Sequence, residues 1–198
     1  MTDGHFADAG HDGYLLAQVR EAFGRVVYSH KTHEKQADLY FSQHRWQQGA
    51  LIALTAISSG TFLVAVLGVL VDAQLASLAT SFIALLVTAV SLGAKTFRFS
   101  EESTSHRDIA SRLWDLRESY LSLISDLMSG TTPASEARAR RDELQEGTRA
   151  AYADAPRTTD KAFAKASTGL KDNEEMTFTS HEIDLFLPDA LRLNEGEA

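Results

Sequence analysis

Between Arg45 and Lys95 the chain carries one formal charge, Asp72. Trp46 to Val71 is an uncharged run of twenty-six residues, and Ala73 to Ala94 is another of twenty-two. A bilayer core takes about 20 apolar residues per helix. The pattern predicts an all-α membrane protein with two transmembrane helices, about 49–71 and 74–94, joined by a turn at Asp72. A carboxylate at mid-bilayer is costly, which assigns Asp72 to that turn.

The flanks supply the orientation. Lys31, Lys35 and Arg45 precede the hairpin, Lys95 and Arg98 follow it, and the turn has no Lys or Arg. The positive-inside rule therefore predicts a two-pass protein of the cell inner membrane with both termini cytoplasmic and Asp72 outside. Trp46, with Tyr40 and Phe41 before it, has the chemistry of a membrane interface. Ala56, Gly60 and Gly68 make a small-residue face where a second helix backbone can approach.

The net charge of −8 and the mean hydropathy of −0.17 resemble those of a soluble protein, because they average an apolar hairpin with charged flanks. There is no cysteine, which excludes disulfides and cysteine zinc sites. The apolar run starts too late for a signal peptide and lacks its charged leader. All three prolines come after residue 130, so the chain before them is free to form long helices.

Residues 1–13, rich in Gly, Asp and His, lack periodicity and read as a disordered tail. From Tyr14 a seam begins. Leu16, Val19, Phe23, Val26, His30, His33, Ala37, Tyr40 and His44 alternate at spacings of 3 and 4, as in a coiled coil. Gly24 is a point where this helix is free to bend. After the hairpin, Ile109, Leu113, Leu116, Tyr120, Leu123 and Leu127 continue the pattern, and Gly130 stops it. The arms on either side of Asp72 are nearly equal, so residues 14–130 read as one antiparallel helical hairpin. Each arm is roughly 85 Å long at 1.5 Å per residue. Facing residues then sum to about 145, which sets His44 near Glu101 and His30 near Asp115.

Residues 131–193 read as short cytosolic helices packed on this stalk, and 194–198 as a tail. Thr132 and Pro133 open the first of these helices, Thr159 the second, and the capping box Thr179 to Glu182 the third.

No catalytic motif is present: no P-loop, GxGxxG, GxSxG or HExxH. The pattern predicts a non-enzyme without a cofactor. His30, His33 and Glu34 fall at i, i+3 and i+4, the geometry of a metal face, but polar seam residues paired across the stalk are the favoured reading. Histidines on such a seam also suit a pH-sensitive stalk. The arginines of 134–152 alternate with acidic residues and read as a solvated face. The aromatic-laced basic patch of a nucleic-acid binder is missing. In the second membrane helix Ser77, Ser81, Thr88 and Ser91 share one stripe. Such a stripe serves helix packing or lines a pore built by several hairpins, which requires a homo-oligomer.

Several stretches carry a family resemblance. They are Tyr28-Ser29-His30-Lys31-Thr32-His33-Glu34, the two membrane helices, Leu113-Trp114-Asp115-Leu116-Arg117-Glu118-Ser119-Tyr120, Arg140-Arg141-Asp142-Glu143-Leu144 and Ala155-Pro156. The tail Thr177-Phe178-Thr179-Ser180-His181-Glu182-Ile183-Asp184 with Leu187-Pro188 completes them. Together they resemble the SLATT domain proteins, two-transmembrane effectors associated with SMODS nucleotide-synthesising and SLOG ligand-binding proteins. The resemblance implies a pore-forming effector of a bacterial anti-phage conflict system that responds to a sensor partner or a nucleotide signal. It supplies no catalytic residues. The alternative is a non-conducting, membrane-anchored scaffold or adaptor.

Overall fold

The computed structural model describes residues 4–60, 68, 72–188 and 192. All regular elements among them are helices: α1 (Gly4–Ser58), α2 (Ala73–Thr96), α3 (Phe99–Ser129), α4 (Ala134–Ala153), α5 (Asp160–Lys171) and α6 (Ser180–Phe186). The fold is the expected all-α hairpin. α1 is its first arm, and α2 with α3 its second.

α1 runs for 55 residues, or about 80 Å at 1.5 Å per residue. It passes through Gly24 as one helix, and it begins at Gly4, where the sequence predicted a tail up to residue 13. Extending a formed helix avoids the nucleation cost, so a short polar stretch with Ala7 and Ala9 follows the helix already behind it. The expected first span, about 49–71, lies within the described residues only as far as Gly60, apart from Gly68.

The second arm is interrupted. Phe97 leaves the helix at φ −97°, ψ 97°, and Arg98 follows at φ −80°, ψ 53°. The Phe99 N–H donates to the Phe97 carbonyl at 2.9 Å. This is an inverse γ-turn centred on Arg98. The run Thr96-Phe97-Arg98-Phe99 is poor in strong helix formers, and its aromatic rings find better contacts outside the helix. Phe97 stacks on Phe99 at 5.6 Å, and Phe99 on Tyr40 of α1 at 6.1 Å.

The register also differs from the expectation. Ser103 Oγ donates to the Ala37 carbonyl at 2.9 Å, and His33 meets His106 at 2.8 Å. Facing residues therefore sum to about 140, more than one helical turn from the predicted 145. A facing sum of about 140 halves to residue 70, two residues before Asp72. Asp72 is the N-cap position of α2, where its negative charge suits the helix dipole.

Away from the membrane segment the two arms do not stand alone. α4 packs on α3 and α1, and α5 packs on α1. Leu15, Val19, Ala22, Val26, Ile109, Leu113, Tyr120, Leu123, Ala137 and Ala151 form one buried cluster. Their burial supplies the stability of this bundle, at roughly 1.5–3 kcal/mol for each large apolar side chain. α5 sits close to α1 because its inner face is Ala162, Ala166 and Gly169. Thr159 opens α5: its N–H and hydroxyl both donate to the Gln36 side chain, at 3.0 and 2.8 Å. Gly130 closes α3 at φ 67°, a left-handed position that suits glycine. α6 begins with the capping box at Thr179 and Glu182 and buries no residue. Pro133 is the N-cap of α4, so the helix starts one residue later than the expected cap at Thr132 implies.

Candidate functional site

Two regions concentrate chemistry: the membrane end of the hairpin and the polar stretch of α1 below it.

At the membrane end, one apolar helical window among the described residues, within Ser77–Ser129, is long enough to cross a bilayer. Its mean hydropathy is 1.9 and none of it is buried. The core helix of a soluble protein passes a length test too, but it is buried. Here Leu75, Leu78, Phe82, Leu85 and Leu92 are all exposed. The half-buried positions of α2 are Ala79, Ile83, Leu86, Val87, Val90, Ser91, Gly93 and Ala94. They form the seam against α1, whose half-buried positions here are Gln47, Ala50, Leu51 and Leu54. Ser77, Ser81 and Thr88 are exposed and Ser91 is half-buried. At 3.6 residues per turn, the hydroxyl stripe lies roughly 130° around the helix from that seam. Ser91 stands at its edge. The hydroxyls of Ser81 and Thr88 each donate to the carbonyl four residues back, at 2.9 Å. Trp46 and Phe97 are exposed where the apolar window ends, beside Arg45, Lys95 and Arg98.

Below the window, α1 carries His30, Lys31, Thr32, His33 and Gln36, all buried. They are enclosed because α3 covers one side of α1 and α5 the other. His30 Nδ1 donates to the Ala110 carbonyl at 2.9 Å, and its ring lies 5.4 Å from Trp114. His33 Nδ1 and His106 Nδ1 are 2.8 Å apart, so one of them must donate. His106 is fully buried and stacks on Tyr40 at 5.6 Å. Burial, with His106 and His30 nearby, lowers the His33 pKa to about 4. Burial lowers His106 as well, against the pull of Glu102. The pair is neutral at physiological pH, so a histidine switch near neutrality, one of the sequence expectations, does not fit this site.

Lys31 and Lys35 close the stretch from the α5 side. Glu175 accepts from Lys31 at 2.7 Å and from Lys35 at 2.8 Å, and Lys31 also pairs with Glu34 at 2.7 Å. Burial alone would lower Lys31, but its bonds to Glu175 and Glu34 raise it. The bonds from Lys31 first and then Lys35 hold Glu175 at about 2. With Glu34 committed to Lys31, His30 to a backbone carbonyl and His33 to His106, the i, i+3, i+4 face is knit into the protein. Among the described residues no group of three or more His, Cys, Asp or Glu is placed to hold a metal ion.

His30 and His33 thus fall together, as polar seam residues. His44 does not join them: it is half-buried about 16 Å further along α1, and the register carries it away from Glu101. His106 was missed. Stepping back three residues from Ile109 along the seam reaches it, and then Ser103, but both are polar and the apolar pattern stops at Ile109.

A long hairpin with an unburied apolar end and a packed polar bundle defines a membrane-anchored helical domain. Residues 15–182 match the family model described as SMODS and SLOG-associating 2TM effector domain family 4. The chain belongs to this family, as its resemblance to SLATT proteins implied. No curated protein and no solved structure matches it.

Proposed function

We propose that this protein is a membrane-permeabilising effector of a bacterial conflict system. Its hairpins assemble in the inner membrane as two-pass units with both termini cytoplasmic. The cytosolic bundle receives a signal from a sensor partner or a nucleotide-signalling protein, and the hairpins rearrange to let ions pass. The observation that carries this reading is the unburied apolar window of α2, whose hydroxyl stripe points away from α1. One hairpin cannot enclose water. Several copies, each turning Ser77, Ser81 and Thr88 inward, supply a polar lining, while Leu78 and Leu85 face lipid or neighbouring helices.

The lining is compatible with a closed state in lipid. Each bonded hydroxyl already has an acceptor in its own helix, so the stripe can sit against lipid without an orphan donor. The small-residue face is uncovered too among the described residues, since a Cβ at Gly60 or Gly68 would meet none of them within 4 Å. Such a face is where a second hairpin packs.

The test is dye release from vesicles carrying the protein. Ser81→Leu with Thr88→Leu should cut release at least severalfold while membrane insertion is retained. Unchanged release would assign the stripe to packing or to lipid. Absence of release under every activating condition would favour a non-conducting scaffold.

A further inference from the structure

A groove of about 480 Å³ opens between α1 and the connection from α4 to α5. Its volume lies in the range of small-molecule sites. Its walls are aromatic: Tyr28 and Phe163 stack at 6.1 Å, and Tyr152 joins them from the end of α4. Phe163 is 55% exposed, an apolar ring left open on a helix that buries alanine elsewhere.

The polar groups of the groove are mostly donors. Arg157 lines it and has no ion-pair partner among the described residues. The Tyr152 hydroxyl donates to Ser29 Oγ at 2.6 Å, which leaves the Ser29 proton free to be given elsewhere. Thr158 adds another hydroxyl. His33 also lines the groove, and its tautomer follows from its partner. His106 Nε2 is buried without a hydrogen-bond partner among the described residues. A buried orphan N–H is the costlier alternative, so His106 carries its proton on Nδ1 and donates it to His33 Nδ1. Neutral His33 then bears its proton on Nε2, as a further donor. The nearest carboxylate along the connection, Asp154, is drawn toward Arg112 at 3.9 Å.

Flat aromatic walls with a cation and several donors fit a planar ring bearing an anionic group. The far side of the His33–His106 pair leads on to the membrane. His106 stacks on Tyr40, Tyr40 on Phe99, and Phe99 on Phe97, the residues of the γ-turn where α2 meets α3. We propose that this groove binds a small aromatic anion, a ring carrying phosphate or carboxylate, and that His33 transmits its presence through His106 and Tyr40 to the joint at Phe97–Phe99. This deepens the signal-reception step of the proposed function and rests on that reading, although binding itself is measured without any leakage assay.

The experiment uses the full chain in nanodiscs, titrated by calorimetry with nucleoside 5′-monophosphates, phenyl phosphate, benzoate, inorganic phosphate and phenol. Ring-bearing anions should bind at least tenfold more tightly than inorganic phosphate or phenol. Comparing phosphates with benzoate identifies which anion is preferred. Arg157→Gln should weaken binding about tenfold, and Phe163→Ala severalfold. In the unaltered protein, hydrogen exchange should slow over residues 152–163 on binding and change at residues 97–100. No binding at millimolar concentration, equal binding of inorganic phosphate, or indifference to Arg157→Gln overturns the site. Protection at 152–163 with no change at 97–100 overturns the coupling. Binding by a protein that never releases dye would instead sink the pore reading and leave the site standing.

Discussion

His33 and His106 occupy positions where a coiled coil would place apolar side chains, and their burial fixes how acid acts on the bundle. The folded pKa of His33, about 4, is below that of the free imidazole. Above about pH 6.5 the ring is neutral folded or unfolded, and contributes no slope. Between about 6.5 and 4 the unfolded chain takes up the proton first, so stability falls with pH, by up to about 3 kcal/mol from this group. Glu175 acts in a lower window: its carboxylate, held at about 2, supports the fold above its ordinary value and loses that support as pH falls toward 2. Hydrogen exchange at Ser103–Leu113 should therefore be flat from pH 8 to 6.5, once corrected for intrinsic rates, and accelerate below it. The double variant His33→Leu, His106→Leu should lose most of the upper acid limb. His106→Ala alone should cost about 2–4 kcal/mol, because it leaves a cavity and an unpartnered His33 nitrogen. A loss in the double leucine variant smaller than the sum of the losses in His33→Leu and His106→Leu, in the same exchange measurement, would show the coupling of the pair. The sequence exposed half of this site. His30 and His33 sit on the 3–4 seam and could be read, whereas His106 could not, because a lone polar residue beyond Ile109 looks like the end of a seam.

The elements were legible where their signals are local. The Gly130 stop, the Thr179–Glu182 box and the helix start at Thr159 each depend on a few neighbouring residues, and each is found where the sequence put it. The register and the break were not legible. Register is set by contacts between residues far apart in the chain, such as Ala37 with Ser103 and His33 with His106, and the lone charge at Asp72 is a poor guide to it. The break at Arg98 depends on Tyr40, fifty-eight residues away in the chain, whose ring gives Phe99 a partner. The role of α5 was hidden for a related reason. Lys31, Thr32 and Gln36 look like an exposed polar face until α5 covers them. Two consequences belong to this level. Gly130→Ala at φ 67° should destabilise the end of α3 by about 1 kcal/mol, seen as faster exchange over its last turn. Glu175→Gln removes the carboxylate that bridges Lys31 and Lys35, and leaves buried Lys31 with Glu34 alone. It should free the strand of chain after α5, raising protease cleavage within 172–179 severalfold at neutral pH. Glu174, the one non-glycine residue with positive φ among those described, lies in that strap and is held only by its surroundings.

For the whole molecule, the deciding question is what covers the apolar end of the hairpin. The bundle away from it has its own core, so the membrane segment is not needed to complete that core. Among the described residues α2 is covered only along its α1 seam, and its remaining apolar side chains must meet lipid or other copies. Lipid is the better account for the ends of the window, because basic and aromatic residues gather there: Arg45, Trp46, Lys95, Phe97 and Arg98. An oligomer core hidden from water would gain nothing from that border. Leu85 separates the two accounts. It is 64% exposed on α2, near the middle of the apolar run. An aspartate at mid-bilayer costs about 3 kcal/mol on insertion. If lipid surrounds the hairpin, wild-type protein stays in the membrane fraction after a high-salt wash, and Leu85→Asp shifts it measurably toward the soluble or degraded fractions. If the hairpins cover one another in water, the wild type washes off as a large soluble assembly, and Leu85→Asp breaks that assembly into smaller species on size exclusion. The first outcome is expected, since among the described residues nothing but α1 covers the apolar window.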